Sequence, residues 1–174
     1  MANHVTNIIT IRFSSDKRDI VNNIIETIKE KEFIHCLYEN GNDSYSWYSE
    51  NVGAKWARLN DEPWCDENEA EINIESAWAE VDPFVQHLCS LIGDCVIEYS
   101  FMDEMPNFGG TRKYENGELV AENHIEDMWS EIEKESDRLM AKDNLSFDSE
   151  YDLNDWRWEW MWEFAYERIE LEEE

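Results

Sequence analysis

Glycine, proline and basic side chains are all scarce here: six Gly, three Pro and fourteen Lys plus Arg among 174 residues. The glycines form no phosphate-cradling or nucleophile-elbow pattern, since GxGxxG, GxxxxGK[ST] and GxSxG are all missing. Cys36, Cys65, Cys89 and Cys95 lack CxxC spacing, and His4, His35, His87 and His124 stand singly. The local signature of a zinc site is therefore lacking, and reduced thiols are expected rather than a disulfide frame. No apolar run approaches the roughly 18 residues of a membrane span. The first apolar stretch, Val5 to Phe13, is broken by Thr6, Asn7, Thr10 and Arg12, so no secretory leader is expected and a cytoplasm is.

Acid and aromatic residues are what the chain has in abundance. Forty-two Asp and Glu leave a formal charge of −28. Such a charge disfavours nucleic acid and anionic membranes as direct partners, because both are polyanions. It favours basic protein surfaces, or else serves only solubility. Nine Trp, seven Tyr and seven Phe set the chain apart from disordered acidic proteins, which are poor in such residues. At this length most of the unfolded surface can be buried without a metal or disulfide staple.

The pattern along the chain predicts an α+β fold. His4–Phe13 is rich in β-branched residues and reads as a strand. Ser14 and Ser15 are placed to cap a helix carrying Ile20, Ile24, Ile25 and Ile28, running to about Lys31. A strand is expected around Gly53–Leu59, and a second at Ala70–Ala77 with Ile72 and Ile74 inward. Asp82 and Pro83 have the types of an N-cap and first helical residue. They precede Phe84, Val85, Leu88, Leu91 and Ile92, and Gly93 closes that helix. Cys95–Met102 reads as a strand, and Asn116–Gly117 marks a hairpin. The resulting order, βαββαβ plus a hairpin, is the ferredoxin-like pattern. Residues 121–174 hold 19 acidic and 5 basic side chains. They predict two acidic helices, near 124–142 and 152–170. The expected organisation is a ferredoxin-like domain at 1–122 and an acidic helical extension at 123–174 packed on it.

Four segments resemble the YubB-type ferredoxin-like family of phages and plasmids. Met1–Ile11 (MANHVTNIITI) is similar to the family's opening. Asn51-Val-Gly-Ala-Lys-Trp56 resembles its Asn-Trp-Gly-Thr-Lys-Trp motif. Ser76-Ala77-Trp78 with Pro83 is similar to Thr-Ala-Trp-Ser-Pro-Pro, and Phe108-Gly109-Gly110 falls at its Gly-containing turn. Val52 and Ala54 replace Trp and Thr of the second motif, and Ala79-Glu80 replaces Ser-Pro of the third. The resemblance covers about residues 1–122. It implies a fold and a mobile-element setting inside a bacterial host cell, and no established reaction.

Candidate chemistry is thin. Asp148 to Glu159 imitates the ligand spacing of a calcium loop, but Leu153 occupies the place that needs glycine. A helix N-terminus favouring carboxylates accounts for the same residues. No catalytic, cofactor-binding or metal-binding residue is assigned, and the chain is not expected to be an enzyme.

The segment 155–169, DWRWEWMWEFAYERI, is the most unusual. Trp158, Trp162, Ala165 and Ile169 fall on one helical face, widened by Trp156, Trp160 and Phe164. That face either closes the core against the sheet or offers an interface. Glu159, Glu163, Glu167 and Glu170 form a row at one-turn spacing, with Glu131 and Asp137 sampling a second row on the preceding helix. Carboxylates one turn apart are about 5–6 Å from each other, near the phosphate spacing of a strand. A charge of −28 equals that on roughly 14 base pairs. The expected function is nucleic-acid mimicry: binding and inhibiting a basic nucleic-acid-binding host protein, a defence nuclease or effector. The alternatives are an oligomeric module, such as a homodimer, using the Trp-rich helix, and a small metal protein or enzyme with a pocket around Lys55, Trp56 and Trp78.

Overall fold

Alternating burial along β1, His4–Phe13, decides how the sheet is organised: Val5, Asn7, Ile9, Ile11 and Phe13 all point to one buried side. A computed structural model describes residues 3–171. After β1 come α1 (Arg18–Lys31), α2 (Tyr45–Asn51), β2 (Ala57–Leu59), β3 (Trp64–Cys65) and β4 (Glu69–Ala77). Then follow α3 (Asp82–Ile92), β5 (Cys95–Asp103), β6 (Gly109–Glu115), β7 (Glu118–Ile125), α4 (Met128–Asp143), α5 (Glu150–Trp158) and α6 (Met161–Ile169).

The sheet order is β2-β4-β1-β5-β6-β7, with β3 also paired to β4 and every pairing antiparallel. Its first four strands, joined through α1 and α3, form the ferredoxin-like βαββαβ unit. The β6–β7 hairpin widens the sheet beyond β5. Its turn has positive φ at both Asn116 (54°) and Gly117 (86°), as a two-residue hairpin of right-handed twist requires.

One face carries the main core. Ile9, Ile11, Ile72, Ile74, Ile97, Tyr99 and Phe101 from the strands meet Val21, Ile25 and Ile28 of α1 and Phe84, Val85, Leu88 and Ile92 of α3. The polar member of β1's inward row, Asn7, is satisfied from four directions. Its Nδ2 donates to the Ile74 carbonyl (3.1 Å) and to Ser76 Oγ (2.8 Å), while its Oδ1 accepts from Tyr99 (2.7 Å) and the Val81 amide (3.3 Å). The Val81 amide also donates to the Tyr99 hydroxyl at 2.7 Å. The start of α3 is thus pinned to the sheet by a buried network with no loose partner.

Several elements differ from expectation. A 3-10 turn, Ser15–Lys17, precedes α1, so neither Ser14 nor Ser15 caps it. Ile20 is 42% exposed, and Val21 takes its place inside. The strand expected from Gly53 is only β2, because α2 and its exit occupy residues up to the motif's glycine. Val81, not Asp82, is the cap residue of α3. The extension expected from residue 123 begins its helix at Met128, because β7 stays paired to β6 as far as Ile125 and Asp127 caps α4 by accepting from the Ser130 amide at 3.1 Å.

Candidate partner-binding surface

Helix α4 uses Met128 and Ile132 to reach a second, smaller core with Met102 of β5 and Met161, Ala165 and Ile169 of α6. The expected helix over 152–170 is two helices. The chain breaks at Glu159–Trp160, where the Glu159 amide bonds back to Trp156 and the Trp160 amide to Arg157 in tight three-residue steps. The break turns α6 so that Met161, Ala165 and Ile169, spaced by four, face the sheet. Trp160, Trp162 and Phe164 lie partly buried beside them. The predicted stripe keeps Ala165 and Ile169 but loses Trp158, which is 46% exposed. The docking is fastened by Asn123, whose Nδ2 donates to the carbonyls of Arg168 (2.8 Å) and Glu170 (2.9 Å).

This second core is less finished than the first. Trp160 Nε1 is buried and has no partner among the described residues. Arg157 is 9% exposed, with Nε donating to Ser136 Oγ at 2.9 Å and Nη1 to Asn154 Oδ1 at 3.3 Å, its guanidinium lying 5.8 Å over the Trp129 ring. Among the described residues no carboxylate pairs with it.

The six candidate carboxylates fare differently. Asp137, Glu159, Glu163, Glu167 and Glu170 are exposed, and among the described residues none is in an ion pair. Glu131 is not free: Lys134 Nζ lies at 2.7 Å and Arg168 Nη2 at 3.0 Å. Those cations hold its carboxyl below the usual range, Lys134's hydrogen bond first. Nor is the predicted row continuous. Glu163 and Glu167 lie one turn apart on α6, while Glu159 sits at the break and Glu170 past the last turn. Glu170 also borders an open depression of about 510 Å³ with Glu98, Ser100, Thr111 and Leu171.

The calcium-like stretch is folded as α5, capped by Ser149 Oγ accepting from the Asp152 amide at 3.2 Å. Among the described residues no group of three or more His, Cys, Asp or Glu is placed to hold a metal. All four cysteines are free thiols.

The segments around Lys55, Trp56 and Trp78 build a joint rather than a cavity. Gly53 has φ +98°, and a Cβ there would meet Pro83 Cδ at 2.7 Å, so the two motifs touch backbone to ring. The Ala77 amide donates to the Trp56 carbonyl at 3.1 Å. The Trp56 ring lies edge-on to His4 at 5.3 Å and under the Arg58 guanidinium at 5.1 Å. His4 and Arg58 both bond Glu75. Trp78, with φ 72°, is 55% exposed. Val52 and Ala54, the departures within the motif, are buried in the main core, which rewards apolar side chains there.

Residues 55–142 match the model of the family described as the ferredoxin-like domain in Api92-like protein. The chain belongs to that family. The family description names a fold and no reaction. Among solved structures, the protein api92 from Yersinia pseudotuberculosis is similar at 16% identity over 56% of this chain and 35% of that one, with a TM-score of 0.40. The chain thus spans about a third of the length of that structure. No curated protein matches it. Among the described residues, no helix is long and apolar enough to cross a membrane.

Proposed function

We propose that the chain acts as a nucleic-acid mimic of phage or plasmid type, binding and inhibiting a basic nucleic-acid-binding protein of the bacterial cytoplasm, a defence nuclease or effector. The observation that carries this reading is the set of exposed carboxylates on and beside the C-terminal helices that are in no ion pair among the described residues: Asp137, Glu159, Glu163, Glu167 and Glu170. Glu131, already neutralised by Lys134 and Arg168, supports the helices more than the charge. The remaining support is the net charge of −28 and the YubB-type resemblance of the first 122 residues. A protein surface of this kind enters a basic groove by releasing the counterions that nucleic acid would release, and so excludes it.

The test captures partners from host lysate at low salt and challenges the complex with duplex DNA. Release by DNA, and weakening as salt rises, are expected. Charge reversal at Glu159, Glu163, Glu167 and Glu170 should lower affinity by at least tenfold. A partner held equally at low and high salt, and in the presence of duplex, would sink the reading. The exposure of Trp158 (46%) favours one rival, an oligomeric module closed through that ring. Sedimentation velocity of the purified chain separates the two.

A further inference from the structure

The break between α5 and α6 leaves an aromatic stripe on the outside. Tyr151 and Trp158, seven residues apart, share one face of α5, and Trp162 follows across the break, half-buried beside Trp158. Tyr151 is 77% exposed, and the Trp158 and Trp162 rings lie 5.9 Å apart with their planes 37° from parallel. Asp152, Asp155, Glu159 and Glu163 border the stripe, all exposed, and among the described residues none is in an ion pair.

An exposed aromatic strip on a soluble chain marks something that covers it. Charge decides what. A second copy would bring two chains of −28 together along their acid-bordered faces, and like charges across an interface are costly. A cationic segment meets the border, but lysine satisfies only the charge. A guanidinium does both things at once, lying flat on an indole while its edge pairs with a carboxylate. Two internal arginines do both: Arg58 lies over Trp56 and bonds Glu75, and Arg112 lies over Phe101 and bonds Glu122, whereas the one lysine on a ring among the described residues, Lys55 over Tyr45, is in no ion pair.

We propose that the Tyr151–Trp158–Trp162 stripe is the docking site for an arginine-rich segment of the partner, with guanidinium groups stacked on the rings and paired to the flanking carboxylates. It rests on the mimicry reading and adds to it the stripe that discriminates arginine from lysine.

Nona-arginine and nona-lysine peptides carry equal charge, so calorimetric titration of the full chain with each isolates the aromatic contribution. The arginine peptide should bind about tenfold more tightly, the effect of two stacking contacts. Trp158→Ala, at an exposed ring, should bring that ratio close to one by weakening nona-arginine binding far more than nona-lysine binding. Tyr151→Ala should reduce it by a smaller factor. Equal binding of the two peptides, both weakened by salt, would overturn the stripe and leave the mimicry reading standing. Failure of both peptides to bind would overturn the two together. A dimer seen in sedimentation and dissolved by Trp158→Ala would assign the stripe to a second copy and overturn the proposal.

Discussion

The two faces of the sheet are covered in opposite ways. On one, α1 and α3 bring aliphatic side chains that reach full burial, and the one inward amide, Asn7, has every bond it needs. On the other, α4 to α6 bring methionines and half-buried indoles and, among the described residues, a guanidinium without a carboxylate and an indole N–H without an acceptor. Close packing with saturated polar groups gives a layer that does not yield locally. A layer of methionine and partly covered aromatic rings keeps surface available and opens at lower cost. Stability rests chiefly on the first face, while the second keeps the exposed surface that the proposed association would use.

The largest effect should come from deleting volume in each core. Ile25→Ala is expected to cost about 3 kcal/mol, within the usual range for a buried aliphatic residue, and to raise hydrogen exchange throughout the chain. Met161→Ala should cost about 2 kcal/mol and raise exchange in α4, α5 and α6 while the amides of β1 and β4 stay protected. Equal loss of protection in β1 after Met161→Ala would merge the two layers into one cooperative unit.

Asn7→Ala comes next. It leaves the Tyr99 hydroxyl and Ser76 without their shared partner, at about 2 kcal/mol by denaturant unfolding, with the loss felt at the start of α3.

Glu75→Gln should follow at about 1 kcal/mol near neutral pH. Burial pushes the Glu75 carboxyl up, but the hydrogen bonds of Arg58 and His4 outweigh it and hold it below 4.5. A carboxylate depressed on folding contributes stability that is complete above its unfolded pKa and disappears as pH falls through its lower folded one. Wild type and variant should therefore differ at pH 7 and converge in that acid window; a constant gap would contradict the pairing.

The smallest effect is of opposite sign. Trp160→Phe removes a buried N–H that has no acceptor, so stability should hold or rise by up to about 1 kcal/mol. A clear loss would mean that the second layer is as finished as the first.

Most of the first layer was legible because period-two alternation and turn chemistry act locally. β4, β5 and the Asn116–Gly117 turn follow directly from residue type. Asn7 stood in the sequence only as a polar break in the apolar stretch Val5 to Phe13. Its role needs Ser76 and Tyr99, which the pairing of β1 with β4 and β5 brings to it. The candidate surface was less legible. Neither Pro nor Gly marks the break at Glu159–Trp160, and a Trp-rich helix offers two apolar stripes of similar strength. The sheet chose between them, since Met102 and Ile125 can receive Met161, Ala165 and Ile169 only if α6 turns away from α5. Of the two partners of Glu131, Lys134 lies three residues on, at a spacing the sequence displays, whereas Arg168 lies 37 residues further along the chain and only the fold brings it near.

The hairpin that widens the sheet ends in β7, which among the described residues has no neighbouring strand on its outer side. An unpaired strand of that length is a template on which another molecule can add its own edge and begin a fibre. Two features blunt it: a bulge opposite Lys113 and Tyr114, and carboxylates along the strand, of which Glu118 is exposed and in no ion pair among the described residues while Glu122 is held by Arg112 at 2.6 Å. Two such edges meeting would set carboxylate against carboxylate, so the acidic coat also keeps the chain dispersed. Concentrated salt, which should release the proposed basic partner, would at the same time screen this repulsion, exchanging one kind of association for another.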